Sequence, residues 1–478
     1  MEALGENLET MPRVPLADHH VAALHRLGRI RTYAEGEVVV EAGDPMDSFV
    51  YVLDGEIEVV DPRSRNRLME SSIGPTQFMG EIAFLNAGAN ILPMRAAKPT
   101  RTLEVPRQAM LDLMARVPEL SDHVIGVFSA RRRRQFELKN SAVKLIGADR
   151  DAAVQKVEQF LSRNRIPFES LDLDGSDNET LAACNLTGHR PSVILGQDHM
   201  LDDPTPRKVA QYLHLDLDVC CETLYDLLIV GGGPAGVAAS VYAGSEGLCA
   251  LTIEDTAIGG QAGTSSRIEN YMGFPTGISG ADLVYRGQIQ AMKFGTRFAM
   301  PRSVEGLVRR SDGTFCAQLD DGDEVCAKAV LVATGVQYRR LPLDRLEAFE
   351  GAGIFYAATD MEARFCHNTE AVVVGGGNSA GQAAMYLSRT ATCVHVVVRG
   401  NSLAASMSNY LTQRLEADPA IKIHYDTEIT DLHGDSHLEA VTFTTPTGER
   451  VIDTRALFVM IGAAPNTGWL SGLVETDD

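Results

Sequence analysis

Apolar and polar positions change their period three times along the chain. Near the N-terminus, five-residue runs alternate with turn signals: Glu37 to Glu41, Phe49 to Leu53 and Glu56 to Val60, the last two separated by Asp54-Gly55. Short period-two runs broken by glycine predict antiparallel strands, and Asp-Gly between two of them predicts a hairpin. Gly36, Gly43, Gly74 and Gly80 mark further turns, so residues 1–140 predict a small β-barrel (jelly roll) with helices. A helical stretch from about Arg107 to Lys139 ends that region. Residues 141–217 then alternate between strand and helix. Ala142 to Ile146, Phe168 to Leu173 and Ser192 to Leu195 predict strands, while Asp151 to Ser162 and Pro206 to Leu213 predict helices. Val154, Val157, Phe160 and Leu161 carry the helical spacing, and the element order predicts a small α/β unit.

Beyond residue 224 one pattern occurs twice: apolar strand, tight glycine turn, alanine-rich helix, second strand. Tyr225 to Val230 runs into Gly231-Gly232-Gly233-Pro234-Ala235-Gly236, then a helix from Val237 to Ala243 and a strand from Leu248 to Ile253 ending at Glu254. Ala371 to Val374 runs into Gly375-Gly376-Gly377, then a helix to Leu387 and a strand from Cys393 to Val398. The two glycine clusters lie 144 residues apart, which predicts two α/β Rossmann-type nucleotide-binding domains.

Composition narrows the classes. A chain of 478 residues has room for about three domains. Its 43 basic and 64 acidic residues give a net charge of −21, which argues against nucleic acid or an anionic membrane as partner. In so acidic a chain, Arg131-Arg132-Arg133-Arg134 reads as a solvated helix face. No apolar run approaches the roughly 20 residues needed to span a bilayer. The first ten residues lack a basic segment followed by an apolar one. None of the eight cysteines forms a CxxC pair or a zinc spacing. These features predict a cytoplasmic protein with reduced cysteines and no metal site.

The glycine turns carry the candidate chemistry. Gly231 permits the tight turn, Gly233 lets the backbone approach a pyrophosphate, and Gly236 lets helix and strand pack closely. Glu254 stands where a carboxylate can accept hydrogen bonds from an adenosine ribose. In the second turn Gly375, Gly377 and Ala380 repeat the pattern, and Ser379 is placed to cap the helix or touch phosphate. The following strand ends at Val398 and Arg399 rather than at a carboxylate. A cation there suits a 2′-phosphate and favours NADPH over NADH.

Three further motifs follow in order: Gly259-Gly260-Gln261, Glu269-Asn270-Tyr271-Met272-Gly273-Phe274-Pro275 and Ala333-Thr334-Gly335. With the two glycine turns and Ile461 to Thr467, they make residues 225–478 resemble the pyridine nucleotide-disulfide oxidoreductases, thioredoxin reductase above all. The resemblance implies FAD at Gly231, Gly233, Gly236, Glu254, Gly260, Gln261, Asn270, Thr334 and Gly335. It implies NADPH at Gly375, Gly377, Ser379, Ala380 and Arg399. It further implies an FAD-binding domain at 225–340, an inserted NAD(P)H-binding domain at 341–456 and a return to the FAD domain at 457–478. In the family that return continues into a Gly-Asp motif, which this sequence does not reach before Asp478. The family's dithiol falls on Ala357-Ala358-Thr359-Asp360, so no catalytic residue is assigned, and nearby Cys366 reads as a small buried apolar residue.

Residues 141–217 resemble a thioredoxin or glutaredoxin unit without its active cysteines, with Gly147 to Asp151 in their place and Arg190-Pro191-Ser192 at its cis-proline. Residues 1–140 resemble a cyclic nucleotide-binding domain through Glu41-Ala42-Gly43-Asp44 and Phe78-Met79-Gly80-Glu81-Ile82-Ala83. That family's phosphate-binding arginine falls on Asn90 and Ile91, and Arg95 aligns with a later strand position. A ligand-free regulatory or structural role follows. The whole implies an NAD(P)H-dependent flavoprotein oxidoreductase passing electrons from NADPH through FAD to an unidentified acceptor or partner protein, with room for a homodimer. The alternative is a non-catalytic sensor or interaction protein that keeps a flavoprotein shell.

Overall fold

The computed structural model describes residues 14–62, 64–137, 143–147, 151–172, 191–195, 199–215, 219, 223–265, 267–435, 437–470 and 472–475. Contacts divide the chain into two compact units, Met1–Ile258 with Arg286–Ala333, and Gly259–Tyr285 with Thr334–Asp478.

In the first unit the N-terminal region forms two antiparallel sheets. One orders Arg29–Tyr33, Thr100–Pro106 and Ser48–Asp54; the other orders Val38–Val40, Met94–Ala96, Ile57–Val60 and Arg67–Ile73. Val50, Val52, Ile57 and Met79 fill part of the space beneath them. Asp54-Gly55 is therefore not a hairpin, because Ser48–Asp54 and Ile57–Val60 belong to different sheets. The turn carries the chain across, with the Glu56 amide donating to Thr100 Oγ1 at 3.0 Å and the Ala97 amide to Glu56 O at 2.8 Å. The predicted long helix is two helices, Arg107–Arg116 and Pro118–Glu137, because Pro118 pushes Val117 out of the helical region.

Residues 143–213 form a four-stranded sheet in the order His199–Asp202, Ser192–Leu195, Val143–Gly147, Glu169–Asp172. The last two strands are parallel, and the other pairings are antiparallel. Asp151 caps the helix Ala152–Arg163, accepting from the Ala153 amide at 2.7 Å. Val154, Val157, Phe160 and Leu161 are buried beneath this sheet, as their spacing predicts. The strand His199–Asp202 was not legible in the sequence. Positions 148–150, Arg190, Cys184, Cys220 and Cys221 lie outside the described residues, as does the bond before Pro191.

The fourth sheet of this unit has six strands. Arg297–Ala299, Ala250–Ile253, Leu224–Val230 and Glu324–Val332 run parallel in that order, followed by antiparallel Phe315–Leu319 and Val304–Arg309. Leu228, Ile229 and Val230 are all buried, as a strand covered on both faces requires. Cys316 and Cys326 lie directly opposite each other and are joined as a disulfide, with Cα atoms 4.1 Å apart. The expectation that every cysteine is reduced does not hold for this pair. Facing positions on adjacent antiparallel strands bring their side chains within bonding reach.

The second unit holds a five-stranded parallel sheet in the order Ile354–Phe355, Leu457–Val459, Glu370–Val374, Cys393–Val397, Ile421–His424. A three-stranded antiparallel meander, Glu428–His433, Ala440–Thr445 and Gly448–Asp453, packs its Phe443 and Val441 into the core shared with Val372 and Val397. No helix among the described residues is long and apolar enough to cross a membrane.

Candidate functional site

In the first unit Leu224–Val230 delivers the chain into the Gly231 turn and the helix Pro234–Ser245. Gly236 is obligatory: a Cβ there would lie 1.9 Å from Gly231 O. Gly233 is the N-cap of that helix, and no side chain caps it. Its first amides are thus free to face an anion, reinforced by the helix dipole. Glu254, only 8% exposed, follows the neighbouring strand, and its Oε2 accepts from the Gly232 amide at 2.7 Å. Its Oε1 accepts from the Thr256 and Ala257 amides at 3.3 and 3.4 Å. Burial first, then the neighbouring Asp255 carboxyl, push Glu254 up to about 7. Gly231, Gly233, Gly236 and Glu254 are therefore one constellation. An uncapped helix N-terminus beside a buried carboxyl fits the pyrophosphate and ribose of a dinucleotide.

In the second unit the residues expected near a flavin form a separate set. Gln261 Nε2 donates to Val336 O at 2.6 Å, and Thr334 Oγ1 donates to Asn466 O at 2.7 Å. The Asn466 amide returns to Gly335 O at 3.0 Å, beside the pairing of Val336–Tyr338 with Ala463–Pro465. Gly260 lies in the turn that precedes the short helix Ala262–Thr264. Asn270 is exposed, and its loop also exposes Tyr271 and Met272. The same loop is tied to the helix Asn409–Ala417 by an ion pair between Glu269 and Arg414.

The second glycine turn repeats the first in its chemistry. Gly375 has φ +144°, and a Cβ on it would lie 2.2 Å from Met460 O. Gly377 is the uncapped N-cap of the helix Asn378–Leu387, in which Ala380 is buried and Ser379 exposed. Two contacts not legible in the sequence fasten the loop after Arg399 to this turn. Ser406 Oγ donates to Gly376 O at 2.8 Å, and the Ser408 amide donates to Asn378 Oδ1 at 2.7 Å. Arg399 is exposed and has no ion-pair partner among the described residues.

Elsewhere, the N-terminal sheets border an open cavity of about 220 Å³ whose lining includes Arg31, Tyr33, Asp44, Asp47, Asn90 and Glu104. Three carboxyls face one guanidinium there, and Tyr33 donates to Glu104 at 2.6 Å. Asn90 donates to Asp44 O at 3.0 Å, Ile91 packs against the core of residues 143–213, and Arg95 is paired with Glu58 at 2.7 Å. The arginine run is a solvated face only in part: Arg133 is exposed, while Arg131 and Arg132 are turned inward. Arg131 donates to Phe78 O at 2.7 Å and lies over the Phe78 ring, and burial lowers its pKa to about 10. Arg132 donates to Asn164 O at 3.2 Å and Arg165 O at 3.1 Å. Carbonyls at the barrel's rim and beyond recruit these two guanidiniums inward, which net charge could not foretell. Near the expected dithiol position, Cys366 is buried, and burial, then Glu362, push its thiol up to about 12. Among the described residues one cluster has metal-donor geometry, Cys316 with Glu324 and Cys326, and its sulfurs are committed to the disulfide.

Residues 225–478 match the pyridine nucleotide-disulphide oxidoreductase family, and residues 30–117 match the cyclic nucleotide-binding domain. A thioredoxin reductase of Streptomyces clavuligerus is 35% identical over 256 residues, covering 53% of this chain and 78% of that protein. An NADPH-dependent thioredoxin reductase 3 of Arabidopsis thaliana is 32% identical over 301 residues, covering 59% of this chain and 56% of that protein. The crystal structure of Lactococcus lactis thioredoxin reductase superposes with a TM-score of 0.50 at 28% identity, covering 53% of this chain and 82% of that one.

Proposed function

Because this chain belongs to the pyridine nucleotide-disulphide oxidoreductase family, we propose that it takes a hydride from NADPH onto FAD and passes the electrons to an acceptor other than a thioredoxin disulfide. The pair of glycine turns carries this reading, each setting an uncapped helix N-terminus at the end of a parallel strand. FAD would be held at its dinucleotide portion by Gly231, Gly233, Gly236 and Glu254, and at its flavin end by Gly260, Gln261, Asn270, Thr334 and Gly335. Bound FAD supplies a two-electron acceptor that the side chains themselves lack. Gly375, Gly377, Ser379, Ala380 and Arg399 would hold NADPH, the free guanidinium of Arg399 selecting the 2′-phosphate.

The acceptor assignment rests on thiol chemistry. Ala357 stands where the family has a cysteine, and Cys366 yields almost no thiolate at neutral pH, so neither can attack a disulfide. In this reading the FAD domain spans 225–340 and returns at 457–478 around a nucleotide domain at 341–456. Residues 141–217 act as a thioredoxin-like scaffold, and the barrel of residues 1–140 is a jelly roll with a structural or regulatory role.

Flavin absorbance of the purified full chain is the test. Retained or reconstitutable FAD that NADPH bleaches without oxygen supports the reading, and Gly233→Val should abolish both. A chain that neither retains nor takes up FAD would be the non-catalytic shell instead. Turnover of thioredoxin disulfide at rates typical of enzymes, about 1–10³ s⁻¹, would overturn the acceptor assignment.

A further inference from the structure

Two chains of polar contacts leave the same barrel segment and end on Glu254. The first starts at Asn86, which treats the outer strand of the six-stranded sheet as a strand partner would. Its Nδ2 donates to Phe298 O at 2.8 Å, and its Oδ1 accepts from the Phe298 amide at 2.8 Å. The next residue, Ala299, accepts the Glu254 amide at 3.1 Å, and the Arg302 amide donates to Glu254 O at 2.9 Å. Arg207 also holds this stretch, donating to Pro301 O at 2.9 Å. The second chain starts at Glu81, which pairs with Arg132 at 3.4 Å. Arg132 donates to Asn164 O, and Asn164 Nδ2 in turn donates to Thr256 O at 3.2 Å. Thr256 belongs to the turn whose amides hold Glu254 Oε1. Asn86 thus fixes the Glu254 backbone, and Asn164 fixes the turn that orients its carboxylate.

We propose that Asn86 and Asn164 are positioning residues for Glu254, coupling the barrel segment 80–90 to the dinucleotide turn. That segment also lines the barrel cavity through Gly80, Phe84 and Asn90, so whatever rearranges the cavity wall bears on Glu254. The inference rests on the dinucleotide role of Glu254. Contiguity alone does not establish coupling, and the test is therefore energetic.

Hydrogen exchange of the flavin-free full chain reads the positioning without any cofactor. Asn86→Ala and Asn164→Ala should each speed exchange of residues 250–258 about tenfold, with Cys393–Val397 unaffected. Unchanged exchange at 250–258 in both variants overturns the proposal. FAD titration then asks whether the effect passes through Glu254. Each variant should raise the dissociation constant about three- to tenfold and leave the NADPH KM unmoved, and the losses should largely vanish in a Glu254→Gln background. Full additivity with Glu254→Gln would show that the asparagines act elsewhere. Asn86→Asp keeps the acceptor for the Phe298 amide and should recover part of the loss; it also serves if Asn86→Ala fails to fold. If the wild-type chain binds no FAD, the proposed function fails, while the exchange experiment still decides the positioning.

Discussion

Glu254 is a carboxyl held above its usual range by burial, at about 7, next to an amide that prefers it ionised. In the flavin-free fold such a group stabilises below its ordinary value near 4.5 and loses that contribution as pH rises through about 7. Binding has the opposite sign, because a ribose hydroxyl donates to the ionised form. Titration from pH 6 to pH 8 should lower the FAD dissociation constant about tenfold, and Glu254→Gln should flatten the profile. Gly236→Ala is a steric counterpart: with its Cβ 1.9 Å from Gly231 O, the turn must open. Purified Gly236→Ala should carry little or no flavin. At the other nucleotide turn, stopped-flow flavin reduction should favour NADPH over NADH by about tenfold, or ~1.4 kcal/mol. Arg399→Ala should erase that gap mainly by weakening NADPH.

At the scale of elements, the facing strands Phe315–Leu319 and Glu324–Val332 are cross-linked by Cys316 and Cys326, ten residues apart in sequence. Closing so short a loop removes about 2–3 kcal/mol of unfolded-state freedom. Reductant, or Cys316→Ser, should lower the first unit's denaturation midpoint correspondingly. This pairing was invisible beforehand, since cysteine count and spacing say nothing of register. The two glycine turns were legible because each residue type there has one backbone reason to be present. Gly231 to Gly236, Glu254 and Gly375 to Ala380 occupy the strand-turn-helix positions their spacing predicts. Asp54-Gly55 misled because a reversal signal does not say which sheet the next strand joins. Arg131 and Arg132 misled because both donate to backbone carbonyls, which have no signature in sequence. Ser406 and Asn164 were missed for the same reason: each reaches a backbone carbonyl far along the chain, Gly376 O and Thr256 O respectively.

At the scale of the whole chain, the N-terminal residues at the expected phosphate site are engaged in contacts of their own. Ile91 supports the core of residues 143–213, Arg95 is spent on Glu58, and the cavity wall carries three carboxyls against Arg31. Calorimetry with cAMP and cGMP should therefore show no micromolar binding, since a buried phosphate would lack the charge-assisted pair that binding needs. The amide of Asn86 has one more consequence. Arg297–Ala299 is the last strand of its sheet, and its outward N–H and C=O at Phe298 would otherwise offer a template to any other extended chain. Removing the first 223 residues to isolate the oxidoreductase half would strip that cover from a sticky edge. Light scattering should find the shortened protein self-associating at concentrations where the full chain stays dispersed.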